Sequence, residues 1–192
     1  MRSERHQGFT LFELLLVVAI ISIVATVAIP ASAPSADQRL NTAAQEVIGA
    51  LRYAQIEARR TGKFYGADFS VDTVTSQRRI RVFSSDSANP PNPVYDVMHP
   101  LDKKLYDRQL VSGSATAGVT ISAATFYYRS GATLVVRDWA AFDAAGTPDY
   151  YPDASNYAAY SSAPDTSAVT LTYQGKSVQV LLDPVTGRVT RT

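Results

Sequence analysis

Glu13 is a carboxylate placed where a carboxylate is expensive. From Phe9 to Pro30 it is the only side chain that ionises. Inside a bilayer such a group costs about 2.5 to 3.5 kcal/mol on insertion scales, less toward a helix end, and it usually marks function. Its chemistry calls for a cationic partner. A secretory signal peptide has an apolar core of about 7 to 15 residues followed by small residues at its cleavage site. That pattern accounts for Ala31, Ser32 and Ala33, but not for Glu13 or for the length of the run.

The element that positions Glu13 is an apolar helix. About 22 residues at 1.5 Å rise give roughly 33 Å, enough to cross the hydrocarbon core of a bilayer. The preceding segment, MRSERHQG, carries Arg2 and Arg5. Positive charge stays on the cytoplasmic side, so the rest of the chain is expected across the membrane. The organisation expected is a short leader (1–8), a transmembrane and assembly helix (9–34) and a globular domain (35–192).

Gly8, Phe9, Thr10, Leu11 and Glu13, with the apolar run ending at Pro30, resemble the processing site and N-terminal helix of type IV pilin-like proteins. The resemblance implies that a prepilin peptidase cuts between Gly8 and Phe9 and methylates the new N-terminus on Phe9. The helix is then kept as membrane anchor and assembly core. An α-amino group titrates near 7.7 to 8.0, so the freed amine of Phe9 would be largely cationic. Glu13 would pair with it, within the subunit or across to a neighbour. Desolvation offsets much of that attraction, so the pair would set register more than stability. The partners implied are prepilin peptidase and other pilin or pseudopilin subunits. The location implied is the bacterial inner membrane with the C-terminal domain in the periplasm, and later a pilus or pseudopilus.

The 192 residues leave about 160 for one soluble domain, enough to bury a sizeable core. The leader removes two arginines and one glutamate, which leaves the mature chain balanced in charge. No global pull toward nucleic acid or anionic lipid follows. The absence of cysteine excludes thiolate chemistry and cysteine metal sites. After loss of the leader His99 is the only histidine, which excludes a multi-histidine metal site within one chain. No cofactor is expected.

Ser35 to Gln38 matches a capping box, and Leu40, Ala44, Val47, Leu51, Ala54 and Ala58 then step by four and three until Gly62. A helix is expected over 35–61, about 39 Å long from Ser35 to Arg60, packed on a sheet. From Lys63 the period falls to two. Strands are expected at Lys63–Ser70, Arg78–Ser84, Val119–Ser122, Thr125–Tyr128, Thr133–Arg137, Ala168–Tyr173, Lys176–Leu182 and Arg188–Thr190. Gln174 and Gly175 mark a hairpin, and Asp183, Pro184 and Gly187 a second turn. The fold class expected is α+β, a long N-terminal helix whose first half spans the membrane, packed on a mainly antiparallel β-sheet.

Three further segments carry a resemblance. LRYAQIEARRTGK at Leu51 to Lys63, AFDAAGTP at Ala141 to Pro148 and LLDPVTGRV at Leu181 to Val189 are similar to the helix end, mid-sheet turn and closing hairpin of the GspH/FimT group of minor pilins and pseudopilins. The first two are also similar to MshC-like minor pilins of mannose-sensitive haemagglutinin pili. Many major pilins close a C-terminal loop with a disulfide, so the lack of cysteine implies a minor subunit.

Two long connections remain, one rich in proline (Ser85 to Leu110) and one rich in tyrosine and aspartate (Asp143 to Asp165). Asp143, Asp149, Asp153 and Asp165 would offer oxygens to Ca²⁺, but their spacing fits no defined calcium loop, and no metal is expected. Tyr150, Tyr151, Tyr157 and Tyr160 would cover a sheet edge or stack on sugars or a partner. Arg79 and Arg81 share a strand face, and with Arg188 and Arg191 they would hold a phosphate backbone if brought together. Solvated positions and a charged sheet edge are the simpler reading, so nucleic acid is an alternative and not the expectation. Catalysis is not expected, since His99 sits beside Pro100 and no GxSxG elbow exists.

Overall fold

A computed structural model describes residues 9–28, 34–85, 93–110, 115–130, 133–149 and 167–192. The chain falls into two compact units divided between Ser35 and Ala36.

The first unit is a helix, α1, Leu11–Ala28. Leucine, isoleucine, valine and alanine occupy all its sides, so it has no polar face, and every described side chain from Phe9 to Val24 is exposed. Within the helix Ser22 is satisfied internally, its Oγ donating to Val18 O at 2.7 Å. At 1.5 Å per residue its 18 residues extend about 27 Å. Among the described residues no helix is long and apolar enough to cross a membrane. Residues 29–33 of the expected span, and the leader with Gly8, lie outside the described residues.

The second unit begins with α2, Ala36–Thr61, whose buried face includes Leu40, Ala44, Val47, Leu51, Ala54 and Ala58, the stripe read from the sequence. Gly62 ends it. Its φ is +69°, and its N–H returns to Ala58 O at 2.9 Å, a left-handed cap that glycine adopts without Cβ strain. At the other end Asp37 meets Lys176 at 2.8 Å. α1 and α2 fall in separate units, residues 29–33 between them lie outside the described residues, and α2 is the helix described as packing on sheet.

The strands follow as β1 (Phe64–Asp68), β2 (Ile80–Ser85), β3 (Asp107–Arg108), β4 (Thr120–Ser130), β5 (Thr133–Arg137), β6 (Trp139–Phe142), β7 (Pro148–Asp149), β8 (Ser167–Tyr173), β9 (Lys176–Leu182) and β10 (Val189–Arg191). They form two antiparallel five-stranded sheets, in the orders β3-β2-β1-β6-β7 and β10-β9-β8-β4-β5. The expected single sheet is therefore two, both lying against α2. The switch is made at Asp138, the one residue between β5 and β6. Its carbonyl accepts from Phe69 N–H at 2.9 Å, and its carboxylate lies 3.5 Å from Arg78. Phe69 stacks on Phe126 of β4 at 5.8 Å, tying the two sheets through buried rings.

The stretches expected as separate strands at Val119–Ser122 and Thr125–Tyr128 are one strand, β4, with its register shifted between Ile121 and Ala123. A bulge hides a strand from a period-two reading. The β8–β9 hairpin is as expected, with Gln174 at φ 48° and Gly175 at φ 77°, both left-handed as its two-residue turn requires.

Two glycines separate close packing from open space. A Cβ on Gly66 of β1 would stand 2.6 Å from Ala140 O, so Gly66→Ala is expected to lower stability by about 1–3 kcal/mol or more. On the exposed side of α2 a Cβ on Gly49 would meet only Tyr106 Oη, at 3.9 Å. Gly49→Ala is expected to raise stability by up to about 1 kcal/mol, since alanine is the better helix former. Thermal denaturation followed by circular dichroism measures both.

Candidate functional site

Glu13 is engaged at the start of α1. Its Oε2 accepts from Thr10 N–H at 3.0 Å and from Thr10 Oγ1 at 3.1 Å, while Thr10 Oγ1 accepts from Glu13 N–H at 3.2 Å. This is a capping box, with Thr10 at the N-cap and Glu13 two residues into the helix beyond Leu11. The carboxylate also faces the positive end of the helix dipole. Its oxygen therefore sits on the amide next to Phe9, whose nitrogen is one peptide unit away. The spacing Thr10-x-x-Glu13 was readable in the sequence as this cap. A cation-seeking reading of Glu13 passes over it.

The three segments that carry the finer resemblance meet at one place. Gln55 Nε2 donates to Gly146 O at 2.8 Å and to Gly187 O at 3.4 Å, and Arg59 Nε donates to Ala145 O at 2.9 Å. Gly146 and Gly187 have φ of +73° and +68°, left-handed positions where the chain turns tightly. Each turn is closed by its own aspartate. Asp143 Oδ1 accepts from Thr147 N–H at 2.8 Å, and Asp183 Oδ1 from Thr186 N–H at 2.8 Å and Val185 N–H at 2.9 Å. Those backbone donors hold the Asp183 carboxyl below the usual aspartate range. The cluster binds α2 to a turn of each sheet, and its chemistry is structural.

The arginines divide into two groups. Arg81 pairs with buried Asp68 at 2.6 Å and lies 4.1 Å over the ring of Tyr95. Tyr95 Oη donates to the same carboxylate at 2.7 Å. Burial, with that bond behind it, pushes the Tyr95 phenol well above its ordinary value. Arg79 is shared between Asp72 at 2.7 Å and Asp107 at 2.9 Å. Arg81 lies in β2 of the first sheet and Arg79 immediately before it, and both are occupied by carboxylates. Arg188 and Arg191 sit at the end of the second sheet, exposed, where they line with Arg52 of α2 a polar groove of about 510 Å³. Arg191 also contacts Asn41. Arg79 and Arg81 do not join this groove.

His99 is buried, its ring 4.7 Å from Tyr106 and its Nδ1 accepting from Leu101 N–H at 3.3 Å. Among the described residues no group of three or more His, Asp or Glu side chains is placed to hold a metal. Asp153, Asp165 and the tyrosines at 150, 151, 157 and 160 lie outside the described residues.

A family model described as the prokaryotic N-terminal methylation motif matches residues 4–29. No curated protein and no solved structure matches the chain. The motif supports a type IV pilin-like prepilin, a substrate of prepilin peptidase, and it spans the capping box around Glu13.

Gln55→Ala would leave the Gly146 carbonyl without its partner. A loss of about 1–3 kcal/mol in thermal or denaturant unfolding is expected. Arg60→Ala, which removes an ion pair between an exposed guanidinium and a Glu57 side chain 13% exposed, is expected to cost no more than about 1 kcal/mol.

Proposed function

We propose that the chain is a minor pilin or pseudopilin of the GspH/FimT kind, similar to MshC-like subunits. It is cleaved between Gly8 and Phe9, methylated on Phe9 and built into a type IV pilus or type II secretion pseudopilus as a priming or tip subunit. The observation that carries this reading is the seating of Glu13 within a methylation motif. Its carboxylate is already held on the amide of Thr10, one peptide unit from the nitrogen that cleavage would turn into a cation. A cut after Gly8 would thus place opposite charges side by side without rearranging α1. The same carboxylate is then available to a neighbour's amine in a fibre, where a misplaced register would strand it unpaired in apolar surroundings.

The anchor is supported by the sequence 9–30 and by the all-round apolar, exposed surface of α1. A helix with no polar face needs an apolar environment, which lipid supplies before assembly and neighbouring helices after it. Residues 35–192 would then occupy the periplasm, with 1–8 on the cytoplasmic side of the inner membrane. The role is structural and not enzymatic, and the lack of cysteine favours a minor subunit over a major one.

A second reading rests on the Arg52, Arg188 and Arg191 groove. Three guanidinium groups on one surface suit the phosphates of DNA, as in a minor pilin serving natural transformation.

Mass spectrometry of the protein from its native membrane is expected to find N-methylphenylalanine at Phe9. An intact leader, or a terminus among Ala31 to Ala33, would refute the processing. Glu13→Gln keeps the capping box, since glutamine serves at that position too, but removes the charge. It is expected to insert normally yet be depleted from sheared filaments, as Glu13→Ala is. Wild-type incorporation of Glu13→Gln would reduce Glu13 to a cap. For the second reading, the full chain in detergent is expected to shift duplex DNA at low salt, and a combined Arg188→Ala and Arg191→Ala variant to lose the shift. No shift at low salt removes that reading.

A further inference from the structure

Glu46, Gly49 and Tyr53 step along α2 by three and four residues, so they share one face. They form one wall of a groove of about 700 Å³, the size of a small-ligand site, whose other wall includes His99, Leu101 and Tyr106. Tyr106 is only 5% exposed. Its ring stacks on Tyr53 at 5.6 Å, and its Oη points toward Gly49, 3.9 Å from where a Cβ there would stand. Its backbone groups are used, N–H to Val97 O at 2.8 Å and O from Val82 N–H at 3.1 Å. Its hydroxyl has no hydrogen-bond partner among the described residues, and neither has the half-buried carboxylate of Glu46. Burial, with the charge of Glu46 behind it, holds the Tyr106 phenol well above its ordinary value, so it remains an O–H donor.

A nearly buried donor and a half-buried acceptor on one groove, neither bonded to another protein group among the described residues, specify the group that would complete them. Other charges in the wall are already matched, Arg108 by Asp102 at 2.7 Å and Asp107 by Arg79 at 2.9 Å. An anion would be repelled by Glu46. An ammonium group would donate to Glu46 but offer the phenol nothing to donate to. A hydroxyl donates and accepts at once.

We propose that this groove binds a neutral saccharide through neighbouring hydroxyls, one donating to Glu46 and the other accepting from Tyr106. Leu101, 86% exposed, and the ring of Tyr53 supply apolar surface for the C–H face of a pyranose. Gly49 supplies depth, because any side chain there would enter the space. Among the described residues no close contact requires a glycine at this helical position. All the residues that line the groove belong to the second unit.

The test is saturation-transfer NMR on the full chain in detergent micelles. The probes are the methyl glycosides of glucose, mannose, galactose and N-acetylglucosamine, with butylammonium as the cationic comparison. Transfer to at least one glycoside is expected. It should weaken roughly 10-fold or more in Glu46→Gln, which removes a charge-assisted hydrogen bond while keeping the shape. It should vanish in Gly49→Leu, which fills the groove, and unchanged circular dichroism would show that both variants fold. Transfer to none of the four glycosides, transfer to butylammonium alone, or glycoside transfer unaltered in both variants would overturn the proposal.

Discussion

Two sheets share one helix, and the alanines of α2 are what permit it. Ala43, Ala44, Ala50, Ala54 and Ala58 are fully buried, and each lets a strand approach the helix axis more closely than a leucine would. Leu40, Val47 and Leu51 fill the remaining space. The apolar face is therefore wide enough to seal two sheets, where a narrow stripe would seal one. Phe69, Phe126 and Phe142 close the layer behind it with buried rings. Polar contacts then fix the angle of the helix at both ends, Lys176 on Asp37 at its start, Gln55 and Arg59 on the two glycine turns near its finish. Burial supplies the driving force and these bonds the alignment.

The first unit works by the opposite arrangement. α1 has no face to hide and one carboxylate to place. Thr10 settles that carboxylate locally by offering it a backbone and a hydroxyl donor. A glutamate so held is pre-organised, since its rotamer is chosen before any partner arrives, and the entropy of fixing it is not charged to the encounter. One residue thus caps the helix start and keeps a carboxylate at a fixed place near the beginning of the apolar run.

Much of this was legible in the sequence, and the gaps have physical causes. The stripe of α2 was readable because six positions kept helical spacing, and the β8–β9 hairpin because Gln174 and Gly175 leave two residues between alternating runs. β6 was missed because Trp-Ala-Ala-Phe has little strand character of its own and is held by pairing to Gly66 and its neighbours in β1. β3 and β7 have two residues each, too few for any period to register. The count of sheets was missed because pairing partners separated by tens of residues leave no local trace. At the candidate site the acid was evident, but its cap was overlooked. Arg79 and Arg81 were recognised as basic, yet only the fold shows that Asp72, Asp107 and Asp68 already neutralise them.

The corner at Asp138 limits how this domain can vary. A single residue carries the chain from one sheet to the other, and it is held on both sides, by Phe69 through its carbonyl and by Arg78 through its side chain. Adding or deleting one residue there would rotate either β5 or β6 by half a pleat and present its inward side chains to water. An inserted or deleted residue is therefore costly at this corner, where one residue of chain joins two separately paired layers.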